Sequence, residues 1–147
     1  MNSLDEILDF AIGEEQAAVT FYTSLAAQTQ SAEMRAVLGE IADEERGHEI
    51  RLKKMKERGF IPATTRTTPD LKIADYLVEV KPGPALGYRE LLMLAMQKEM
   101  AAVRMYTALA DQMADAALQQ AFRQLAQEEA RHKLKFETEY DNVMLEG

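Results

Sequence analysis

The chain contains no cysteine. Disulfides, thiolate zinc sites, iron–sulfur clusters and a cysteine nucleophile are therefore excluded, and the absence fits a reducing compartment. Basic residues are outnumbered, with 17 Lys and Arg against 25 Asp and Glu, for a formal net charge of -8. A general nucleic-acid binder leans the other way, so no nucleic-acid partner is expected. Turn formers are sparse: 7 Gly and 4 Pro in 147 residues, against 22 Ala and 9 Met. That balance disfavours a turn-rich β fold and favours helices. No stretch approaches the roughly 20 consecutive apolar residues of a membrane helix. Met1 to Ile12 hold Asp5, Glu6 and Asp9 but no Lys or Arg, and so lack the basic head of a secretory signal. The expectation is a cytoplasmic protein without a membrane partner, built as one domain over residues 1–147. Histidine is scarce too, at two residues, which makes their positions informative.

What is present is an internal repeat. Sliding the chain by 84 residues pairs positions 6–52 with 90–136 without a gap and gives 17 identities in 47 pairs. Chance in so Ala-rich a chain would give roughly 3 or 4. The pairs include Glu15/Glu99, Ala18/Ala102, Tyr22/Tyr106, Leu25/Leu109, Glu45/Glu129 and His48/His132, with apolar exchanges such as Leu38/Phe122 between them. A unit of about 50 residues occurring twice is too long and too few for a solenoid. Two helical hairpins making an all-α four-helix bundle fit it.

Inside each copy the apolar residues recur every three or four positions. Leu4, Ile7, Leu8, Ala11, Ile12, Glu15, Ala18, Tyr22 and Leu25 stand at spacings of three and four, the helical period. Ser3 and Glu6 form a capping-box pattern, Ser31 and Asp115 are N-cap residues, and Gly59 stands where a helix C-cap belongs. The predicted helices are 3–29, 31–58, 87–112 and 115–144, grouped as hairpins 3–58 and 87–144. Residues 60–86 hold all four prolines, Pro62, Pro69, Pro82 and Pro84, and the polar stretch Thr64 to Thr68. They read as a long crossover back along the bundle, with one short helix near Asp70–Val78. A flexible linker between separate or swapped hairpins is the alternative.

The second helix of each copy carries E-x-x-H, as Glu45/His48 and Glu129/His132. The spacing puts a carboxylate and an imidazole one turn apart on one face. The first helix of each copy offers Glu15 or Glu99 at the inward position. A single such motif is usually a solvent-facing accident. Here it occurs twice, at equivalent repeat positions, and uses both histidines. Four Glu and two His are the ligand set of carboxylate-bridged di-iron and di-manganese bundles. Two divalent cations would balance the four carboxylates, which together repel one another in an apolar core. The expected cofactor is two iron ions, with manganese or zinc as alternatives, because carboxylate and imidazole suit these metals and no thiolate competes.

The pattern E-x-x-A-x-x-x-Y at Glu15–Tyr22 and Glu99–Tyr106, with E-x-x-H on the second helices, resembles the ferritin-like superfamily, and within it the rubrerythrin branch. The resemblance spans the whole chain. It implies that Glu45 and Glu129 bridge the metals as the catalytic carboxylates, that Glu15, His48, Glu99 and His132 cap them, and that Tyr22 and Tyr106 hydrogen-bond near the ligands. From residue type alone the two tyrosines could equally be core aromatics. Glu44 and Glu128 either orient a His ring across the bundle or lie exposed. The basic run Arg51, Lys53, Lys54, Lys56 and Arg58 reads as a complement to the helix dipole, and the methionines as an adaptable core or a dimer face. Rubrerythrins carry a C-terminal rubredoxin domain with four Cys, which this chain lacks, so a separate electron-donor protein is implied. Many also place a second Glu where Ala102 stands here, and its absence implies a fixed, symmetric site. The expected activity is reduction of peroxide or dioxygen in a homodimer. Iron storage with ferroxidase chemistry and a non-catalytic scaffold are the alternatives.

Overall fold

Leu, Ala, Met, Glu and Gln fill the predicted helices, and these are strong helix formers. The computed structural model of the protein describes residues 4–58, 72–78 and 87–146, with backbone only at 73 and 74. It contains α1 (Leu4–Gln28), α2 (Ala32–Arg58), α3 (Tyr88–Gln112) and α4 (Ala116–Glu146). One turn of 3-10 helix, Ile73–Tyr76, stands between the hairpins, inside the stretch expected to hold a short helix. The bounds agree with the sequence pattern to within two residues. Ser31 caps α2 by accepting from the Met34 amide at 3.0 Å, and Asp115 caps α4 by accepting from the Ala117 amide at 2.7 Å. Gly87 has no side chain to offer, and α3 starts on backbone bonding alone. The expected Ser3 capping box, the Gly59 cap, the four prolines and Thr64 to Thr68 lie outside the described residues.

Two apolar clusters reveal the topology. The first joins Leu4, Ile7 and Leu8 of α1 to Leu52 of α2, Leu109 of α3 and Phe122 of α4. The second joins Leu25 of α1, Leu38 and Ile41 of α2, Leu92 of α3 and Phe136 of α4. The start of α1 thus lies beside the ends of α2 and α3 and the start of α4. Helices α2 and α3 therefore run the same way, and the chain must travel back along the bundle between Arg58 and Tyr88. At about 1.5 Å per residue each helix is roughly 40 Å long, a span that 29 residues cover easily. Tyr76 packs on the first cluster and carries the Arg104 guanidinium 6.0 Å above its ring, so the connection passes over α3.

The clusters occupy the two ends of the bundle, and a polar layer lies between them. Its residues are Glu15, Glu45, His48, Glu99, Glu129 and His132, none more than 2% exposed. Fully buried Phe, Leu and Ile side chains on either side, each contributing roughly 1.5–3 kcal/mol, offset the cost of this layer. Among the described residues, no helix is long and apolar enough to cross a membrane.

Candidate metal centre

Each helix contributes to the polar layer at the level where its inward stripe crosses the bundle centre. Helices α1 and α3 supply Glu15 and Glu99, while α2 and α4 supply Glu45 with His48 and Glu129 with His132. The side chains form two overlapping groups: Glu15, Glu45, His48 and Glu129, and Glu45, Glu99, Glu129 and His132. Within each group one ligand atom per residue lies within 4.8 Å of the others. Glu45 and Glu129 belong to both. The imidazole rings face each other nearly in parallel, with centroids 6.0 Å apart. All six residues singled out from the sequence are therefore brought together.

The inner atoms of this cluster do not satisfy one another. Glu15 Oε2, Glu45 Oε1, Glu99 Oε2, Glu129 Oε1 and the Nδ1 atoms of His48 and His132 are buried without a hydrogen-bond partner. His48 Nδ1 sits 3.1 Å from Glu45, 3.3 Å from Glu129 and 3.4 Å from Glu15, close but unaligned. A buried polar atom left unpaired costs about 1–3 kcal/mol. Six of them converging on one centre fit a cation site, since a cation needs lone pairs rather than hydrogens. The oxygen and imidazole set suits two divalent transition-metal ions.

The outer atoms are engaged by hydrogen bonds, except Glu128 Oε2, which is buried without a partner. The Tyr106 hydroxyl donates to Glu15 at 2.7 Å, and the Tyr22 hydroxyl donates to Glu99. Each bond crosses between α1 and α3. Burial, and then the nearby carboxylates, push both phenols well above their usual range, so they stay protonated as donors. His48 Nε2 meets Glu128 at 3.1 Å, and His132 Nε2 meets Glu44. Burial would raise Glu44 and Glu128, but the imidazoles and cations beside them outweigh it and keep both low. An ionised carboxylate only accepts, so Nε2 carries the proton and Nδ1 points to the centre. Of the two readings of Glu44 and Glu128, the ring-orienting one is the arrangement seen.

Two arginines that the sequence reading did not assign to the centre stand behind these carboxylates. Arg51 binds Glu128 at 2.9 Å and Arg131 binds Glu44 at 3.3 Å. The dipole reading of the basic run therefore misses Arg51, whose task is to hold a carboxylate of the opposite helix. Its place one turn after His48 was the available signal. Replacing Glu128 with alanine should leave the helix content unchanged and weaken metal binding by roughly 10–100-fold. Competition against a calibrated chelator measures this, and unchanged affinity would mean that the ring needs no such support.

Burial lifts the inner carboxyls. It raises Glu15 to about 8 and Glu99 to about 7, with repulsion from Glu45 adding to each. Glu129 is raised well above the normal range by burial and by Glu99, Glu15 and Glu45. Glu45 is the exception: burial opposes its charge, but His132 and His48 hold it below the usual carboxylate range. Burial also opposes the imidazolium charges. The surrounding carboxylates outweigh that and raise both rings, His132 to about 12. Without metal the centre is thus a store of protons.

A ferritin-like domain model matches residues 4–138. The chain belongs to the ferritin-like domain family. Among solved structures it is similar to a hypothetical protein from Pyrococcus furiosus, at 26% identity and a TM-score of 0.77, covering 97% of this chain and 90% of that one. It is also similar to a Thermotoga maritima protein described as a ferritin-like diiron-carboxylate protein, at 21% identity and a TM-score of 0.79, covering 97% of each chain. No curated protein matches it. In this ferritin-like chain the carboxylate and histidine groups are compatible with a binuclear metal site.

Proposed function

We propose that this ferritin-like protein is a rubrerythrin-like di-iron oxidoreductase. It would reduce peroxide or dioxygen with electrons from a separate donor protein, as a cytoplasmic homodimer. The observation that carries the reading is the pair of three-carboxylate, one-imidazole groups sharing Glu45 and Glu129. Glu15 and His48 would hold one ion, Glu99 and His132 the other, and Glu45 and Glu129 would bridge them. Four carboxylates and two divalent ions sum to zero charge, which removes the penalty of the buried acids. An iron pair, when bound, supplies one electron from each ion, so that peroxide and two protons yield two waters.

The chain's own side chains set the conditions for that chemistry. Tyr22 and Tyr106 fix the outer oxygens of Glu99 and Glu15 and leave the inner ones free. Glu44 and Glu128 fix the imidazole tautomers. The apolar clusters above and below keep bulk water away from the layer. Anaerobic loading with ferrous iron should take up two equivalents per chain, and peroxide should then oxidise both ions in a stopped-flow experiment. Absence of peroxide-driven oxidation in fully loaded protein would overturn the activity. Absence of binding would overturn the site.

A further inference from the structure

The polar layer has one side lined by carboxylates and another lined by imidazoles. A cavity of about 40 Å³ reaches Glu15, Glu45, Glu99 and Glu129 but neither His48 nor His132. Its remaining lining comes chiefly from α1 and α3, including Ala18, Ala102 and Met105, and from Tyr76 and Val78 of the crossover. A single water needs about 10–15 Å³ of such space, so the cavity, part of which the ions themselves would fill, has room for at most a molecule of two or three heavy atoms.

Two alanines make that space. Ala18 packs at the margin of one apolar cluster and Ala102 at the margin of the other. They occupy equivalent positions of the repeat, one turn after Glu15 and Glu99. The larger neighbours Tyr22, Met105 and Tyr106 are buried and closely packed, so they cannot swing aside at low cost. Glu14 and Lys98, also equivalent in the repeat, line the same cavity with opposite charges, and Lys98 is held over the Phe21 ring at 5.6 Å.

We infer that Ala18 and Ala102 form a size filter between α1 and α3, roofed by Tyr76 and Val78, which admits hydrogen peroxide or another ligand of two or three heavy atoms to the carboxylate side of the centre and excludes organic hydroperoxides. The inference rests on the proposed function for its oxidant. Its geometric content concerns any small ligand. Glu128 and Glu44 stand behind the imidazoles, and the cavity reaches the inner carboxylates from the other side of the layer.

The probe is sodium azide, three atoms in line, added to cobalt-loaded protein and followed by its visible spectrum. Wild-type protein should bind azide. Ala102→Leu adds three carbons to the cavity and should weaken azide binding by about tenfold or more with cobalt content unchanged. Ala18→Val is the milder second variant, to be used if the leucine variant fails to fold. In wild-type ferrous protein, hydrogen peroxide should react at least about tenfold faster than tert-butyl hydroperoxide, whose six heavy atoms exceed the space. Azide binding unaffected by either folded variant, or equal rates for the two peroxides, would overturn the filter and leave the metal centre standing. Failure of wild-type protein to bind cobalt or iron would overturn the functional reading and the filter with it.

Discussion

Replacing Glu129 with alanine is expected to abolish both metal positions at once, whereas replacing Glu15 or Glu99 removes one. Glu129 belongs to both ligand groups, as does Glu45. Its loss takes a ligand from each ion and also removes one of the four charges that neutralise the pair. Glu15 belongs to one group and Glu99 to the other. Titration with cobalt or ferrous ion should give two equivalents per chain for wild type, one for Glu15→Ala or Glu99→Ala, and none for Glu129→Ala or Glu45→Ala. These positions lie in a layer whose acids are a burden in the metal-free state, so the variants should fold. Retention of both ions in Glu129→Ala would refute the bridging assignment.

Chelated protein should lose stability as pH rises from about 5 to 8, and metal-loaded protein should not. Glu15 and Glu99 have an ordinary value of 4.5 but titrate at about 8 and about 7 in the folded, metal-free chain. Between those values the folded state holds protons that the unfolded state has shed, so unfolding becomes easier as pH climbs. The two imidazoles act in the same sense. Both are raised above 6.5, so their stabilising contribution is complete below 6.5 and drains away as pH rises towards their folded values. Glu45 is lowered instead, and its contribution is lost only below 4.5, outside this window. A loss of a few kcal/mol in a chain of this size lowers Tm by on the order of 10 °C. Bound divalent ions take the place of the protons, so their affinity grows with pH and reverses the trend. Calorimetry at pH 5, 6.5 and 8, with chelator and with excess manganese, measures both slopes. A flat or rising profile for chelated protein would contradict the charge balance described for the layer.

The helices and the six inner donors were legible in the sequence because both depend on local spacing. E-x-x-H puts two side chains on one face in any helix, and the repeat doubles the signal. The 84-residue shift even pairs Tyr22 with Tyr106 and Glu44 with Glu128. Less legible were contacts between helices. That Tyr22 serves Glu99 rather than Glu15 depends on how α1 and α3 lie across the core. Arg51 and Arg131 are not equivalent in the repeat, yet each holds the carboxylate behind one imidazole. No spacing rule links them, since the link is the packing of α2 on α4. The cavity was hidden for the same reason: Ala18 and Ala102 look like ordinary helix formers until the helices carrying them are put side by side.

The crossover has a consequence for dilution. Two copies of a single hairpin would carry the same ligands, but their centre would form by a second-order encounter and fall apart as the protein was diluted. Joining the hairpins in one chain with α2 parallel to α3 puts all six donors under first-order assembly. At a fixed, buffered concentration of free metal, occupancy per chain should then be the same at nanomolar and at micromolar protein, whatever larger assembly the chains make with one another.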